Sequence, residues 1–93
     1  MIKSFKSKEA EKFFNTRGSA KFPSSIQKKA LMKLHRLDVA ETIDEMKNPP
    51  GNRLEKLSGK LKDYYSVRIN DQWRIIFKWE GQDAFDVAIV DYH

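Results

Sequence analysis

The chain has 93 residues, of which 40% are hydrophobic and 33% are charged, with no cysteine and two histidines. We expect one domain over residues 1–93 with a single small core, and the absence of cysteine excludes disulfides, thiolate catalysis and cysteine zinc sites. No apolar run approaches the roughly 18 residues of a membrane span, and the first residues lack the apolar region of a signal peptide, so we predict a cytoplasmic protein without membrane contact.

Positive charge is concentrated in the first part of the chain. The net charge is +5, from 18 basic and 13 acidic residues, and residues 1–37 contain ten Lys or Arg against two Glu. Such a field attracts polyanions, nucleic acid first. A basic surface also serves solubility alone, so the charge by itself leaves both interpretations open.

The first predicted elements are a short strand and a helix. Residues 2–5 alternate apolar and polar side chains, which is typical of a strand. Ser7 can cap a helix over residues 8–15. Residues 16–22, which include Gly18, are predicted to form a loop.

Two further helices are predicted before residue 48. Ser24 and Gln27 have the spacing of a capping box at the start of the longest helix, whose apolar residues recur at helical spacing: Ile26, Ala30, Leu31, Leu34 and Leu37. Asp38 and Glu41 repeat the capping pattern before a short third helix with an apolar stripe of Val39, Ile43 and Met46. Prolines within residues 48–52 end that helix, and a basic loop or weak strand is expected over residues 53–62.

The second half of the chain changes to a period of two, which predicts three strands. The residues expected on the core side are Tyr65, Val67 and Ile69 in the first, Trp73, Ile75, Phe77 and Trp79 in the second, and Phe85, Val87 and Ile89 in the third. Short turns between them favour antiparallel meander pairing. The other face would present Arg68, Arg74 and Lys78. The predicted fold is therefore α+β, an antiparallel sheet with helices packed on one face.

Arg68 and Arg74 are the first candidate functional pair, on neighbouring strands of the less apolar face. Two guanidiniums there could hold a phosphate and stabilise the extra charge of a phosphorane-like transition state. They could instead pair with carboxylates across the strands and only solvate the sheet; the acids available are Asp63, Asp86 and Asp91.

A basic loop is the second candidate, and its cations are Arg53, Lys56, Lys60 and Lys62. Contacts with a nucleic-acid backbone are one interpretation, since each neutralised phosphate adds salt-sensitive affinity. A solvated loop kept soluble by lysine is the other.

The C-terminal residues Asp91, Tyr92 and His93 are the third candidate. A reference pKa near 6.5 lets an imidazole exchange protons at neutral pH. Asp91 could orient that ring, and Tyr92 could stack on a base or donate a hydrogen bond to a developing charge. A strand end with no chemical role is the alternative.

Four segments together resemble the HigB family of bacterial toxins in the RelE/ParE superfamily: MIKSFKSKEAEKFF, NPPGNRLEKLSG, YYSVRINDQWRIIF and the terminal VDYH. The resemblance runs the length of the chain, and VRINDQWRI combined with DYH is its most specific part. It implies a RelE/ParE-like fold and a small toxin that needs no metal ion or other cofactor. A HigA-type helix-turn-helix antitoxin would bind and silence it, and operator DNA would be bound only through that antitoxin.

The activity implied by the resemblance is that of a ribosome-dependent endoribonuclease, an mRNA interferase that cuts translated messenger RNA by 2′-OH attack and arrests growth. By motif, Arg74 corresponds to the family's phosphate-binding arginine, and Asp91, Tyr92 and His93 correspond to its terminal acid, aromatic residue and imidazole. Arg68 and the cations of the basic loop would hold the RNA backbone.

One departure from the family concerns the loop. Some members have a histidine in an L-H-P-L context, where this chain has Leu54-Glu55-Lys56-Leu57. The assignment of general acid and general base therefore stays open.

Two alternatives belong to other functional classes. A toxin without nuclease activity would inhibit ribosome function or assembly, or DNA gyrase, by binding alone. A basic RNA-binding module would have no toxin role. The combination of Arg74 with the terminal triplet favours the nuclease.

Overall fold

The computed structural model describes residues 1–18 and 21–91, which contain two α-helices and four strands. The helices are α1 (Lys8–Thr16) and α2 (Ser24–Val39). The strands are β1 (Glu55–Lys56), β2 (Tyr65–Arg68), β3 (Trp73–Glu80) and β4 (Asp83–Asp91). Three 3-10 helices cover Ile43–Lys47, Pro50–Asn52 and Gly59–Leu61. No helix in the described part of the chain has the length and apolar character needed to cross a membrane.

The strands form one antiparallel sheet in the order β1-β2-β3-β4, which confirms the predicted meander and the α+β class. Both helices pack on one face. Their buried residues include Ala10 and Phe13 of α1 and Ile26, Ala30, Leu34 and Leu37 of α2. The strands contribute Val67, Ile75, Phe77, Val87 and Ile89, and Ile69 directly follows β2. The helical period of 3.6 residues and the strand period of two residues therefore identified which faces of the helices and of the sheet form the main core.

The first helix begins as predicted, whereas the start of α2 differs. The Ser7 hydroxyl accepts a hydrogen bond from the Ala10 N–H at 3.1 Å. The prediction of a Ser24–Gln27 capping box is wrong, because Pro23 is the N-cap residue and Ser24 is already helical. The Gln27 side chain instead donates to the Phe22 carbonyl at 2.8 Å.

The predicted third helix is displaced along the chain. The α2 helix continues through Asp38 to Val39, and a separate 3-10 helix follows at Ile43–Lys47. The side chain that caps the N-terminus of this 3-10 helix is Glu45 and not Asp38. The Oε2 of Glu45 accepts hydrogen bonds from the backbone N–H groups of residues 41 and 42, at 2.9 Å each. Asp38 is engaged elsewhere, where its Oδ1 accepts from the Ile2 N–H at 2.8 Å. Val39 was expected in the apolar stripe but is 74% exposed.

Residues 2–5 were predicted as a strand but form two isolated parallel bridges to β4, at Ile2–Ala84 and Phe5–Val87. A β-bulge in β4 interrupts the ladder between them. Asp86 has a positive φ of 50°, and its N–H donates to the Ser4 hydroxyl at 2.9 Å instead of to a backbone carbonyl. The bulge also reverses the predicted facing of the start of β4, so Ala84 packs in the main core in place of Phe85.

The sheet face away from the helices is less polar than predicted. It carries a second cluster of Tyr64, Ile76 and Ala88, with Leu57, Leu61 and Val90 packed against it. Residues 57–64, which include part of the basic loop, therefore lie on this face. Lys78 is at one end of the cluster, 5.3 Å from the centroid of the Tyr64 ring, and Arg74 lies two residues before Ile76 on the same strand.

Candidate active site on the open sheet face

Arg68 and Arg74 are directly opposed partners on β2 and β3. Opposed residues of antiparallel strands share a face. Their neighbours Val67, Ile69 and Ile75 are buried in the main core, so the register directs both arginines to the sheet face away from the helices, the open face. The predicted cross-strand arginine pair is thus present in the backbone register.

Different neighbours hold the two guanidiniums. The Nη1 of Arg74 donates to the hydroxyl of Ser66 at 3.3 Å, and Ser66 is completely buried. Arg68 forms an ion pair with Asp71 in the turn that joins the two strands. The pKa of the Asp71 carboxyl is held below its usual range, first by the hydrogen bond that Arg68 donates to it and then by the charge of Arg68. The charge of Arg53 lowers it further. The Arg68 partner is therefore a local acid outside the predicted set of Asp63, Asp86 and Asp91.

Asp91 is the last residue of β4 and directly follows Val90, the residue opposite Arg74. It is opposite Trp73 in the register, while Arg74 is opposite Val90. The Nε2 of Gln72 donates to Asp91 Oδ2 at 2.9 Å and holds the exposed carboxylate at the sheet end. The pairing alone directs Asp91 and Arg74 to opposite faces of β4 and β3. Tyr92 and His93, the other two residues of the predicted terminal group, lie outside the described residues.

The cations of the basic loop lie in different structural elements. Lys56 belongs to β1, opposite Tyr65, and its ammonium lies 4.5 Å from the centroid of that ring. Arg53 follows the 3-10 helix at residues 50–52 in a left-handed conformation. Lys60 and Lys62 are exposed around the 3-10 helix that packs above the second cluster.

Ser66 and Glu55 complete the site and were not assigned roles from the sequence. Glu55 is opposite Ser66 in the β1–β2 register, so its exposed carboxylate lies on the face that carries Arg74. Ser66 alternates with Val67, a pattern that could have placed it beside Arg68. The sequence contains no comparable signal for Glu55, because a two-residue strand is too short to show a period.

The arrangement can bind and polarise a phosphodiester. It offers a guanidinium bonded to a buried hydroxyl, a second guanidinium opposite it on the adjacent strand, and the Glu55 carboxylate on the same face, whereas Asp91 is directed to the other face. Among residues 1–18 and 21–91, no group of three or more metal-binding side chains is placed to hold a metal ion.

Comparison with known proteins identifies the relatives of this chain. The model of the family described as RelE-like toxin of type II toxin-antitoxin system HigB matches residues 3–93. Toxin HigB-1 of Vibrio cholerae is 41% identical over 80 residues, which cover 85% of this chain and 84% of that protein. Endoribonuclease HigB of Proteus vulgaris is 31% identical over 93 residues and is covered completely, as is this chain.

Solved structures share the fold at lower identity. A chain of the YoeB-YefM complex from Staphylococcus aureus superposes with a TM-score of 0.57 at 21% identity, covering 100% of this chain and 98% of that one. The YoeB/ParE toxin from Agrobacterium tumefaciens gives 0.57 at 20% identity, with coverage of 99% and 98%.

Proposed function

The chain belongs to the HigB-like toxins of type II toxin-antitoxin systems, and on that premise we propose that it is an endoribonuclease that cuts messenger RNA on the ribosome. The observation that carries the proposal is the Arg74 guanidinium, which is fixed by buried Ser66 and has Arg68 opposite it on the next strand. The name of the Proteus vulgaris relative, which aligns over the whole chain, supports the same activity. The proposed unit is one toxin domain over residues 1–93.

The proposed reaction is an internal transfer at phosphorus. The 2′-oxygen of a ribose forms a bond to the adjacent phosphorus, the bond to the 5′-oxygen breaks, and a 2′,3′-cyclic phosphate and a free 5′-hydroxyl result. A base takes the proton of the 2′-hydroxyl, and an acid returns one to the leaving oxygen. Arg74 would stabilise the charge that develops on the nonbridging oxygens, a type of interaction whose loss costs about 10²–10³ in rate. No step requires a metal ion.

Proton transfer is assigned to groups at two places, the C-terminal end of the chain and the sheet face that carries Arg74. His93 and Asp91 are the proposed acid-base pair, with Tyr92 stacking on a base or donating to the developing charge. Glu55 adds a carboxylate on the Arg74 face, in the loop where some family members have a histidine. We expect Glu55→Gln to change the pH profile of cleavage on its acid side if this carboxylate accepts the proton, and to leave the profile unchanged if it does not.

The proposed partners follow from the same assignment. A HigA-type helix-turn-helix antitoxin would silence the toxin, with operator DNA bound only through that antitoxin. Ribosomes and messenger RNA would be the targets, and the cytoplasm would be the place of action. Arg53, Lys56, Lys60, Lys62 and Arg68 are the proposed contacts to RNA backbone.

The test is induction of the toxin followed by mapping of RNA ends. New messenger ends at codon positions in a translating extract would support cleavage, whereas blocked translation without new ends would indicate a toxin that acts by binding alone. We expect Arg74→Ala, and a chain lacking only His93, to lose growth arrest while still binding the antitoxin. Lys12→Ala, an exposed cation on α1, is the control and should stay toxic. Full toxicity of both site variants would overturn the assignment of these residues.

A further inference from the structure

A second basic site lies between α2, residues 49–51 and the end of β2. It is a pocket of about 200 Å³ whose charged lining residues are Lys29, Lys33, Arg36 and Arg68. None of the described residues that line it is acidic. The larger pocket, of about 460 Å³, differs because Lys56 and Lys78 share it with three acids. Of these two pockets, the smaller one therefore has the charge distribution that selects an anion.

Lys33 is built into this pocket and is not a mobile surface lysine. Its residue is 7% exposed, and its ammonium donates to the Oδ1 of Asn52, which is fully buried. The Nδ2 of Asn52 donates in turn to the carbonyls of Met46 and Asn48, each at 3.0 Å. An ammonium has three donors and Asn52 takes one, so Lys33 is held in place with capacity for an anion.

Four cations that share one pocket without an anion repel one another. Burial lowers the pKa of Lys33, and the charges of Lys29, Arg36 and Arg68 lower it further. Asp71 compensates the charge of Arg68, with which it pairs, but it does not line the pocket. An anion in the pocket would relieve both the repulsion and the desolvation of the buried ammonium.

We propose that this pocket, the α2 phosphate pocket, binds a backbone phosphate of RNA. The inference rests on the proposed function and extends it, because Arg68 belongs to both places. It is opposite Arg74 in the β2–β3 register, and it also lines the pocket beside α2. An RNA strand held by Arg74 and Arg68 would place a neighbouring phosphate at the pocket that Arg68 also lines. A carboxylate on a protein partner has no such reason to connect the two sites.

The experiment replaces the exposed cations and keeps Lys33, whose loss would disturb the buried Asn52 network. The double variant Lys29→Gln/Arg36→Gln is compared with Lys12→Gln/Lys28→Gln, which removes the same charge from exposed helical positions outside the pocket. Affinity is measured across a range of salt concentrations for two probes: an uncleavable 2′-O-methyl single-stranded oligonucleotide, and ribosomes without messenger RNA.

The expected result is a several-fold loss of affinity in the pocket variant relative to its control. The slope of log affinity against log salt should become shallower by about 0.7 for each phosphate of a single strand that the variant no longer neutralises. A change with the oligonucleotide assigns the phosphate to the substrate strand, and a change with ribosomes alone assigns it to ribosomal RNA. Equal behaviour of the two double variants with both probes would overturn the proposal. Normal RNA affinity with weakened binding to the purified antitoxin would also overturn it, in favour of an acidic protein partner.

Cleavage by the unaltered toxin in a translating extract is scored separately. If the toxin cuts messenger RNA and the two double variants bind RNA alike, the α2 phosphate pocket is refuted while the endoribonuclease function stands. If the toxin does not cut and only the pocket variant loses RNA affinity, the function is refuted while the pocket stands.

Discussion

Replacing Ser66 with alanine tests how much its hydrogen bond with Arg74 contributes to catalysis. Ser66 is completely buried, and its hydroxyl accepts the 3.3 Å hydrogen bond from Arg74. A hydrogen bond to a charged group contributes about 1.5–3 kcal/mol. This one is long, and water can reach the half-buried guanidinium, so we expect a loss of about 1 kcal/mol in transition-state stabilisation. That corresponds to roughly fivefold in kcat/KM, far less than the loss expected for Arg74→Ala.

The assay is the initial rate of messenger cleavage in a translating extract, with urea unfolding of the same preparation. Ser66→Ala leaves no buried group of its own unsatisfied, so we expect stability to change by less than about 1 kcal/mol. Ser58→Ala is the matched control, because Ser58 is exposed and its side chain makes no capping bond to the 3-10 helix that follows.

Two results would refute the reasoning. Unchanged cleavage by Ser66→Ala, with Arg74→Ala inactive, would mean that the hydroxyl does not position the guanidinium. A loss of activity that only follows the loss of folded protein would mean that Ser66 contributes through packing.

Three further predictions concern stability. Asn52→Ala leaves two backbone carbonyls and a buried ammonium without their amide partner, so we expect a loss of about 2–4 kcal/mol in urea unfolding; a loss below about 1 kcal/mol would contradict the buried network. Asp71 has a lowered pKa because it pairs with Arg68, so its stabilisation is present above its ordinary value of 3.8 and is lost as the pH falls through the lower folded value. Asp71→Asn should therefore flatten the acid side of the stability profile, and an unchanged acid side would count against the pair. Gly81→Ala should cost about 1 kcal/mol because Gly81 has a φ of +62°, whereas Gly51→Ala, which meets open space without a positive φ, should be nearly neutral in thermal unfolding. Equal shifts in the two variants would contradict this explanation.

The fold class and the arginine pair follow from local patterns in the sequence. A period of two over three segments joined by short turns leaves few alternatives to a meander, and the short turn between β2 and β3 sets Arg68 opposite Arg74. The apolar stripe of α2 likewise identified the helix face that covers the sheet. These features are local, because each depends on residues a few positions apart.

Other features depend on contacts between residues that are distant in sequence, and local patterns do not predict them. Asp38 is bound to the backbone of Ile2 and does not start a helix, and a bulge at Asp86 turns Phe85 away from the main core. Glu55 joins the Arg74 face only because β1 pairs with β2.

The α2 phosphate pocket is the clearest case of this dependence. It needs α2, residues 49–51 and the end of β2 to meet, and Lys33 is fixed only through Asn52, 19 positions away. Hydrophobic periodicity specifies which side of an element is buried. It does not specify which polar side chains meet when those buried sides pack together, because that depends on register, on bulges and on contacts between distant parts of the chain.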